Sequence, residues 1–384
     1  MTRVDVEAAR HSGRWTRRRP LTVVAVVVSA AIVGLLIAMA LSDRDGSSAG
    51  SRERPEVTLP MRIGYVPYWD QERGFDTALL HLDFFHEVSP VWYSLKATGR
   101  IVLADAENTT VDLRTVRYLQ ARGIRVTPTI TNLLEGEWNP GVVQAMLHDP
   151  RAVRRHVREL VELAVTQDYD GIDIDYEDLR AVDRERFSEF LGDLAAALHA
   201  EDKVLTVAVH PKVSDEGYDE RNQAQDYRAI GAAVDQVRVM TYEYSWETSP
   251  PGPVAPADWV DEVIEWTLTE IPREKVILGV VLLGYDWSEG RGGTIGFEEA
   301  RALAREHGVP VRRSADGSPS FTYEDSAGRR HEVWYEDAVS VRAKVAIASR
   351  HRLGGVFFWR LGGEDPHVWA AASDELQPPR NGYR

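Results

Sequence analysis

The sequence predicts an α/β chain folded as a (β/α)8 TIM barrel, with a small α+β insertion between strands 7 and 8 and one N-terminal transmembrane helix ahead of it. Three observations predict this. From residue 61 onward, eight short β-branched or aromatic runs alternate with amphipathic helical stretches. No glycine-rich phosphate loop follows the first run, which favours the barrel over the doubly wound open sheet, the structural alternative. The uncharged stretch 21–41 stands apart from everything after it.

At the N-terminus, residues 1–20 form a basic tail carrying Arg14, Arg17, Arg18 and Arg19. The run from Leu21 to Leu41 is about 20 residues of Val, Ala, Leu and Ile, enough at about 1.5 Å per residue to cross a hydrocarbon core of roughly 30 Å. The arginines should stay in the cytoplasm, so the reading is a signal-anchor with the rest of the chain outside the cell membrane. The alternative is secretion after signal cleavage, because Ala38-Met39-Ala40 resembles a small-residue cleavage site. Residues 42–60 are polar and aperiodic, a flexible linker. The chain has 384 residues and no cysteine. That excludes thiol catalysis and cysteine-ligated zinc, and a domain spanning 61–375 is large enough to fold without disulfides.

The strand candidates are Arg62 to Tyr68, Glu87 to Leu95, Arg125 to Thr131, Gly171 to Tyr176, Val204 to Val209, Gln236 to Tyr242, Lys275 to Leu283 and Gly355 to Trp359. Between them, Arg151 to Val165 and Glu185 to His199 carry apolar residues at helical spacing; Phe187, Phe190, Leu191, Leu194, Ala195 and Leu198 share one face. The long gap before the last strand reads as an insertion over 288–336. It would hold a helix from Phe297 to His307 and a hairpin of Phe321–Tyr323 with His331–Tyr335.

A net charge of −15 argues against a nucleic-acid binder and fits a neutral polar ligand. The chemistry concentrates in Asp170-Gly171-Ile172-Asp173-Ile174-Asp175-Tyr176-Glu177. Strand alternation puts Asp173, Asp175 and Glu177 on one face, where three carboxyls repel and weaken a strand unless they are used. Glu177, outermost, should have its pKa raised by its like-charged neighbours and can act as a general acid. Asp173 and Asp175, about 6.6 Å apart along a strand, could share a proton. A calcium or magnesium site is the competing reading, but one strand offers poor wrap-around geometry, so no metal and no cofactor are expected. Active-site residues of such barrels gather at the C-terminal strand ends. Those ends carry Tyr65 and Trp69, Trp92 and Tyr93, Asn132, Tyr242 and Glu243, Tyr285 and Asp286, and Trp359. Aromatics around carboxylates suggest a sugar site.

The run Asp170 to Glu177 resembles the D-G-x-D-x-D-x-E signature of glycoside hydrolase family 18, the chitinase-like enzymes. Gly64-Tyr65-Val66-Pro67-Tyr68-Trp69 looks like that family's first strand, Met240-Thr241-Tyr242-Glu243 resembles its M-x-Y-D sixth strand, and Leu353 to Trp359 its eighth. In detail, including His331 to Tyr335 in the insertion, the sequence resembles the bacterial spore-cortex-lytic N-acetylglucosaminidase branch. The resemblance implies hydrolysis of β-1,4-linked N-acetylglucosamine polymers, peptidoglycan or chitin, by substrate-assisted retaining catalysis through an oxazolinium ion. It makes Glu177, Asp175, Asp173 and Tyr242 catalytic. Glu177 would give the proton, Asp175 would hold the acetamido N–H with Asp173 behind it, and Tyr242 would bond the acetamido carbonyl. Tyr65, Tyr93, Glu243, Tyr285 and Trp359 would bind substrate, with Trp359 as the floor. Glu243 departs from the family's usual Asp. Two other readings compete: a weak or inactive carbohydrate-binding module or wall sensor on the same barrel, and a conventional glycosidase with Asp173 or Asp175 as nucleophile.

Overall fold

A computed structural model describes residues 60–376 apart from Glu135. The basic tail, the apolar run 21–41 and nearly all of the linker lie outside the described residues. Among the described residues, no helix is long and apolar enough to cross a membrane.

Eight parallel strands close on themselves: β1 (Met61–Pro67), β2 (Glu87–Leu95), β3 (Thr129–Thr131), β4 (Gly171–Asp175), β5 (Val204–Val209), β6 (Gln236–Val239), β7 (Val276–Val281) and β8 (Gly355–Trp359). They follow one another in order around the barrel, and β1 pairs with both β2 and β8 to seal it. Arg125–Val126 pairs with β2 just ahead of β3, so the expected third strand is interrupted. β6 ends at Val239, where tight backbone bonds from Thr241 N to Val239 O and from Tyr242 N to Met240 O turn the chain out of the sheet. Tyr242 and Glu243 therefore stand on the rim.

The helices follow from their sequences. The helix Pro150–Thr166 starts with Pro at its first position, and Asp149 caps it by accepting from Arg151 N. The helix Arg184–His199 buries Phe187, Phe190, Leu191, Leu194, Ala195 and Leu198, the stripe its periodicity marks. The helix Ala338–His351 opens with an Asp337/Ser340 capping box.

The added layer is a separate antiparallel sheet, ordered Arg291–Ile295, Gly284–Ser288, Arg330–Trp334, Pro319–Glu324 and Arg312–Arg313. The helix Phe297–Glu306 packs on it through Phe297, Ala300 and Ala304 against Phe321, Val333 and Tyr335. The sheet takes in Gly284–Ser288, ahead of 288. Tyr285 and Asp286 thus belong to its first strand and not to the end of β7, because β7 stops at Val281 and the chain leaves the barrel through Leu282 and Leu283.

Candidate active site

Inside the barrel, alternate residues of each strand point at the axis, and Tyr65, Ser89, Thr129, Asp173, Thr206 and Arg238 make part of this interior polar. Asp173 on β4 is fully buried. It accepts hydrogen bonds from Tyr65 Oη on β1 (2.8 Å), Thr129 Oγ1 on β3 (3.0 Å) and Thr206 Oγ1 on β5 (2.6 Å). The Arg238 guanidinium from β6 lies 3.4 Å away. Three hydroxyl donors and a cation leave Asp173 an acceptor-only role, that of an ionised carboxylate. Asp175 is next on the same face and only 8% exposed, and its Oδ1 is buried with no hydrogen-bond partner. Ile172, Ile174 and Tyr176 are buried; Tyr176 Oη meets His156 Nε2 at 2.5 Å, and its ring stacks on Phe190.

The strand ends at Asp175, so alternation alone does not place Glu177. Asn132, just past β3, does: its Oδ1 accepts from Glu177 N and its Nδ2 donates to Glu177 O, both at 2.9 Å. Asp178 follows in the left-handed region (φ 55°), turning the chain away. At the other end of the strand, Asp170 accepts from Val126 N (2.8 Å) and Gln120 Nε2 (3.0 Å), a structural tie.

Electrostatics separate the acids. Burial pushes the Asp175 carboxyl up to about 8, helped by the charges of Asp173 and Glu243 and opposed by Arg238. Glu177 is raised well above its usual range by burial first, then by Asp175, Glu243 and Asp178. The like-charge effect inferred from sequence is present, but loss of water is the larger cause. His210 Nε2 sits 3.9 Å from Glu177 Oε2, and burial followed by the nearby Arg221 charge takes the imidazole down to about 3. It is a neutral neighbour and does not hold Glu177 ionised. Glu243 (φ 61°) is open to solvent at the groove mouth, yet the surrounding protein removes enough bulk water to raise its pKa against the pull of Arg221.

These groups line a groove of about 1370 Å³ across the C-terminal face. Tyr65, Asp175, Glu177, Tyr242, Glu243, Tyr285 and Trp359 all reach it. Trp359 meets Tyr65 edge-on at 5.8 Å and Trp69 at 6.2 Å. Phe357 lies below, 6.1 Å from Tyr242, and it fits only because position 279 is glycine: a Cβ there would be 2.7 Å from the Phe357 ring.

Tyr93 does not join the groove. Its hydroxyl meets Tyr169 Oη at 3.0 Å, away from the groove, and Val91 lines the groove instead. A register shift between Val91 and Tyr93 opposes an extra residue of β2 to β3, which reverses the facing of every residue after it. Trp92 is also core, with Nε1 bonded to Gln71 Oε1 at 2.9 Å. Asp286 is absorbed by the added sheet, bonded to Tyr323 Oη (2.7 Å) and His331 Nδ1 (2.8 Å).

Sequence reading missed the groove's other residues. Trp138 comes from a two-residue hairpin strand, Tyr218 and Arg221 from the segment after β5, and Tyr244, Trp246 and Trp259 from the long segment after β6. For Tyr218, Tyr244, Trp246 and Trp259 the signal is the density of aromatics between residues 218 and 259; Trp138 and Arg221 carry none. Among the described residues, the grouping close enough to share a metal ion is Asp261, Glu265 and His351, away from the groove lining. Asp261 already pairs there with His351 and Arg350.

A barrel with a carboxyl of raised pKa beside a buried acid pair, in an aromatic-lined groove, is the kind of site that sugar-cleaving enzymes use. The family model for glycosyl hydrolases family 18 matches residues 61–364, and the chain belongs to that family. It is 35% identical over 264 residues to the cortical fragment-lytic enzyme of Bacillus subtilis, covering 66% of this chain and 61% of that protein. The chain thus spans about 60% of the length of the curated relatives it matches. Among solved structures, it is similar to the chitinase of Chromobacterium violaceum (TM-score 0.76, 29% identity, 83% of this chain and 99% of that one). It is also similar to the Bacillus megaterium spore cortex-lytic enzyme SleL (TM-score 0.76, 26% identity, 84% and 76%).

Proposed function

We propose that this chain is a retaining glycosidase that cuts β-1,4-linked N-acetylglucosamine glycans, of chitin or cell-wall type, with the substrate's own acetamido group as nucleophile. The observation that carries this reading is the division of labour among three acids. Glu177, whose pKa is raised well above the usual range, is the acid that protonates the leaving oxygen. Asp173 is tied by three hydroxyls and is not free to attack a sugar carbon. Asp175 has a buried, unpartnered oxygen, suited to receive an acetamido N–H and to balance the positive oxazolinium ion. Tyr242 on the rim is suited to hold the acetamido carbonyl, and Trp359 to stack under the sugar. The family's relatives named for chitin and for spore cortex support both polymer classes. The arginine-flanked apolar run supports anchoring at the cell membrane with the barrel outside.

The test uses the full chain on chitin oligomers and on purified peptidoglycan, with product masses read out. Glu177→Gln should lose about 10²–10⁴ in turnover while still binding oligomer, and an N-acetylglucosamine thiazoline should inhibit the unaltered protein. Full turnover by Glu177→Gln removes the acid assignment. Oligomer binding by the unaltered chain without product after long incubation favours the carbohydrate-binding reading.

A further inference from the structure

The proposed chemistry makes no use of Arg238, yet among the described residues it is the largest fully buried charged side chain. The side chain is 0% exposed and crosses the axis from β6. Its Nη1 donates to Tyr65 Oη (3.0 Å) and Ser89 Oγ (2.6 Å) and lies 3.4 Å from Asp173 Oδ1; its Nη2 contacts Glu87 on β2. Glu87, also fully buried, takes a second cation, because Arg125 Nη2 lies 2.8 Å from its Oε2. If Arg238 served only to neutralise Glu87, Arg125 would be superfluous. Two arginines face two acids in this interior, Glu87 and Asp173. The pairing leaves the positive charge of Arg238 for Asp173 and for the Tyr65 hydroxyl that donates to it.

We propose that Arg238 is a positioning residue that fixes Asp173 as the immobile, ionised member of the acid pair, so that the movable proton of the site resides on Asp175. The inference rests on the proposed reading of Asp173 and Asp175 as the pair serving the acetamido group. The charged and titratable groups facing the pair are Tyr65 from β1, Glu87 from β2, Arg238 from β6, and Glu177, Tyr242 and Glu243 at the rim. Of the groups bound to Asp173, only Arg238 carries positive charge. Without it, both acids can hold protons together. A doubly protonated pair is neutral and cannot balance a developing oxazolinium charge. The acid limb of activity should then move to higher pH, while the alkaline limb, set by Glu177, moves less.

Replacing Arg238 alone strands Glu87, so the informative variant is Glu87→Gln/Arg238→Met, which removes both buried charges and leaves Arg125 reaching solvent. Activity is read as kcat and KM against pH on a fluorogenic chitobioside. The expected result is an acid limb raised by about one to three pH units, the shift a neighbouring opposite charge produces. kcat should recover towards pH 7, and KM should change less than kcat. Arg238→Lys, which keeps the charge, should restore most of the acid limb.

A second readout needs no turnover. The pH dependence of unfolding in urea, compared with Glu87→Gln/Arg238→Lys so that the proton Glu87 releases on folding cancels, should show the double variant taking up an additional proton on folding at pH 4–6. Unchanged acid limb and unchanged proton uptake in a folded double variant would overturn the assignment, as would a kcat loss equal at every pH. Absence of product from chitin oligomers and from peptidoglycan with the unaltered chain refutes the glycosidase reading separately, because the urea measurement reports on Arg238 whether or not the chain cleaves sugar.

Discussion

Replacing Asp175 by Asn should make the protein more stable and inactive at once. In the fold, this carboxyl is pushed up to about 8, with burial the first cause and the charges of Asp173 and Glu243 behind it. In the unfolded chain it returns to about 3.9. Between those values the folded state holds a proton that the unfolded state releases, so stability falls as pH rises from about 4 and is fully reduced above 8. At pH 7 the gap is about three units. At about 1.4 kcal/mol per unit, that is on the order of 4 kcal/mol against the fold, a large share of a stability of about 5–15 kcal/mol. Asn has nearly the same shape and no charge to desolvate, so Asp175→Asn should recover a few kcal/mol at pH 7 and much less at pH 4. The assay is urea unfolding of both proteins from pH 4 to 8, with turnover measured alongside. The unaltered chain should lose stability relative to the variant as pH rises. Parallel curves, or a variant less stable at pH 7, would refute the claim that Asp175 is held in an unfavourable state for its chemistry.

Two other outcomes follow from buried and groove-lining charges. His156 is buried, with Nδ1 3.1 Å from Gly99 O and Nε2 bonded to Tyr176 Oη, and burial takes it down to about 4. Its folded pKa lies below the unfolded value of about 6.5, so its contribution is present above 6.5 and is lost as pH falls through 4, by about 3 kcal/mol in all. That slope opposes the one from Asp175 and should stand out in Asp175→Asn unfolding curves; its persistence in His156→Gln would show that another group titrates. The groove lining carries Asp178, Glu243, Glu247, Asp258 and Glu262, while its arginine, Arg221, is already paired with Asp219 and Asp178. Neutral chitin oligomers should therefore be cut faster than glycan fragments bearing free carboxylates. The gap should narrow several-fold between about 0.05 and 0.5 M salt as the repulsion is screened, whereas a ratio independent of salt would exclude this cause.

Strand alternation and helical stripes carried the barrel, because both are local periodicities imposed by burial. Runs such as Val204–Val209 and the apolar face from Phe187 to Leu198 have a single low-energy placement. The acid series was legible for the same reason up to Asp175. Glu177 lies past the strand, and its position depends on two backbone bonds from Asn132, 45 residues earlier in the chain. Tyr93 was misread because a bulge adds one residue of offset and leaves no mark in composition. Glu87 and Arg238 were unreadable for a different reason. Each sits in a run that scores as an ordinary strand, and a charged residue at one inward position looks like a surface residue until its partner across the barrel is known.

The added sheet is part of the groove's construction. Trp287 Nε1 on its first strand donates to Trp246 O (3.1 Å), Gly292 N on the neighbouring strand donates to Glu247 O (2.7 Å), and Arg291 pairs with the Glu247 carboxylate. The segment after β6 is long and has no sheet partner of its own over Tyr244 to Ser249, so these three contacts hold Trp246 at the groove wall. Tyr285, from the same first strand, faces the groove and meets the Trp287 ring at a tilt of 48°, with centroids 5.3 Å apart. This side of the groove is thus built from two segments that are distant in sequence and stiffened against each other, while Asp175 and Glu177, the acids of the proposed chemistry, are held by the barrel below. On the proposed reading, such a division separates the aromatic wall that meets the glycan from the barrel positions of Asp175 and Glu177.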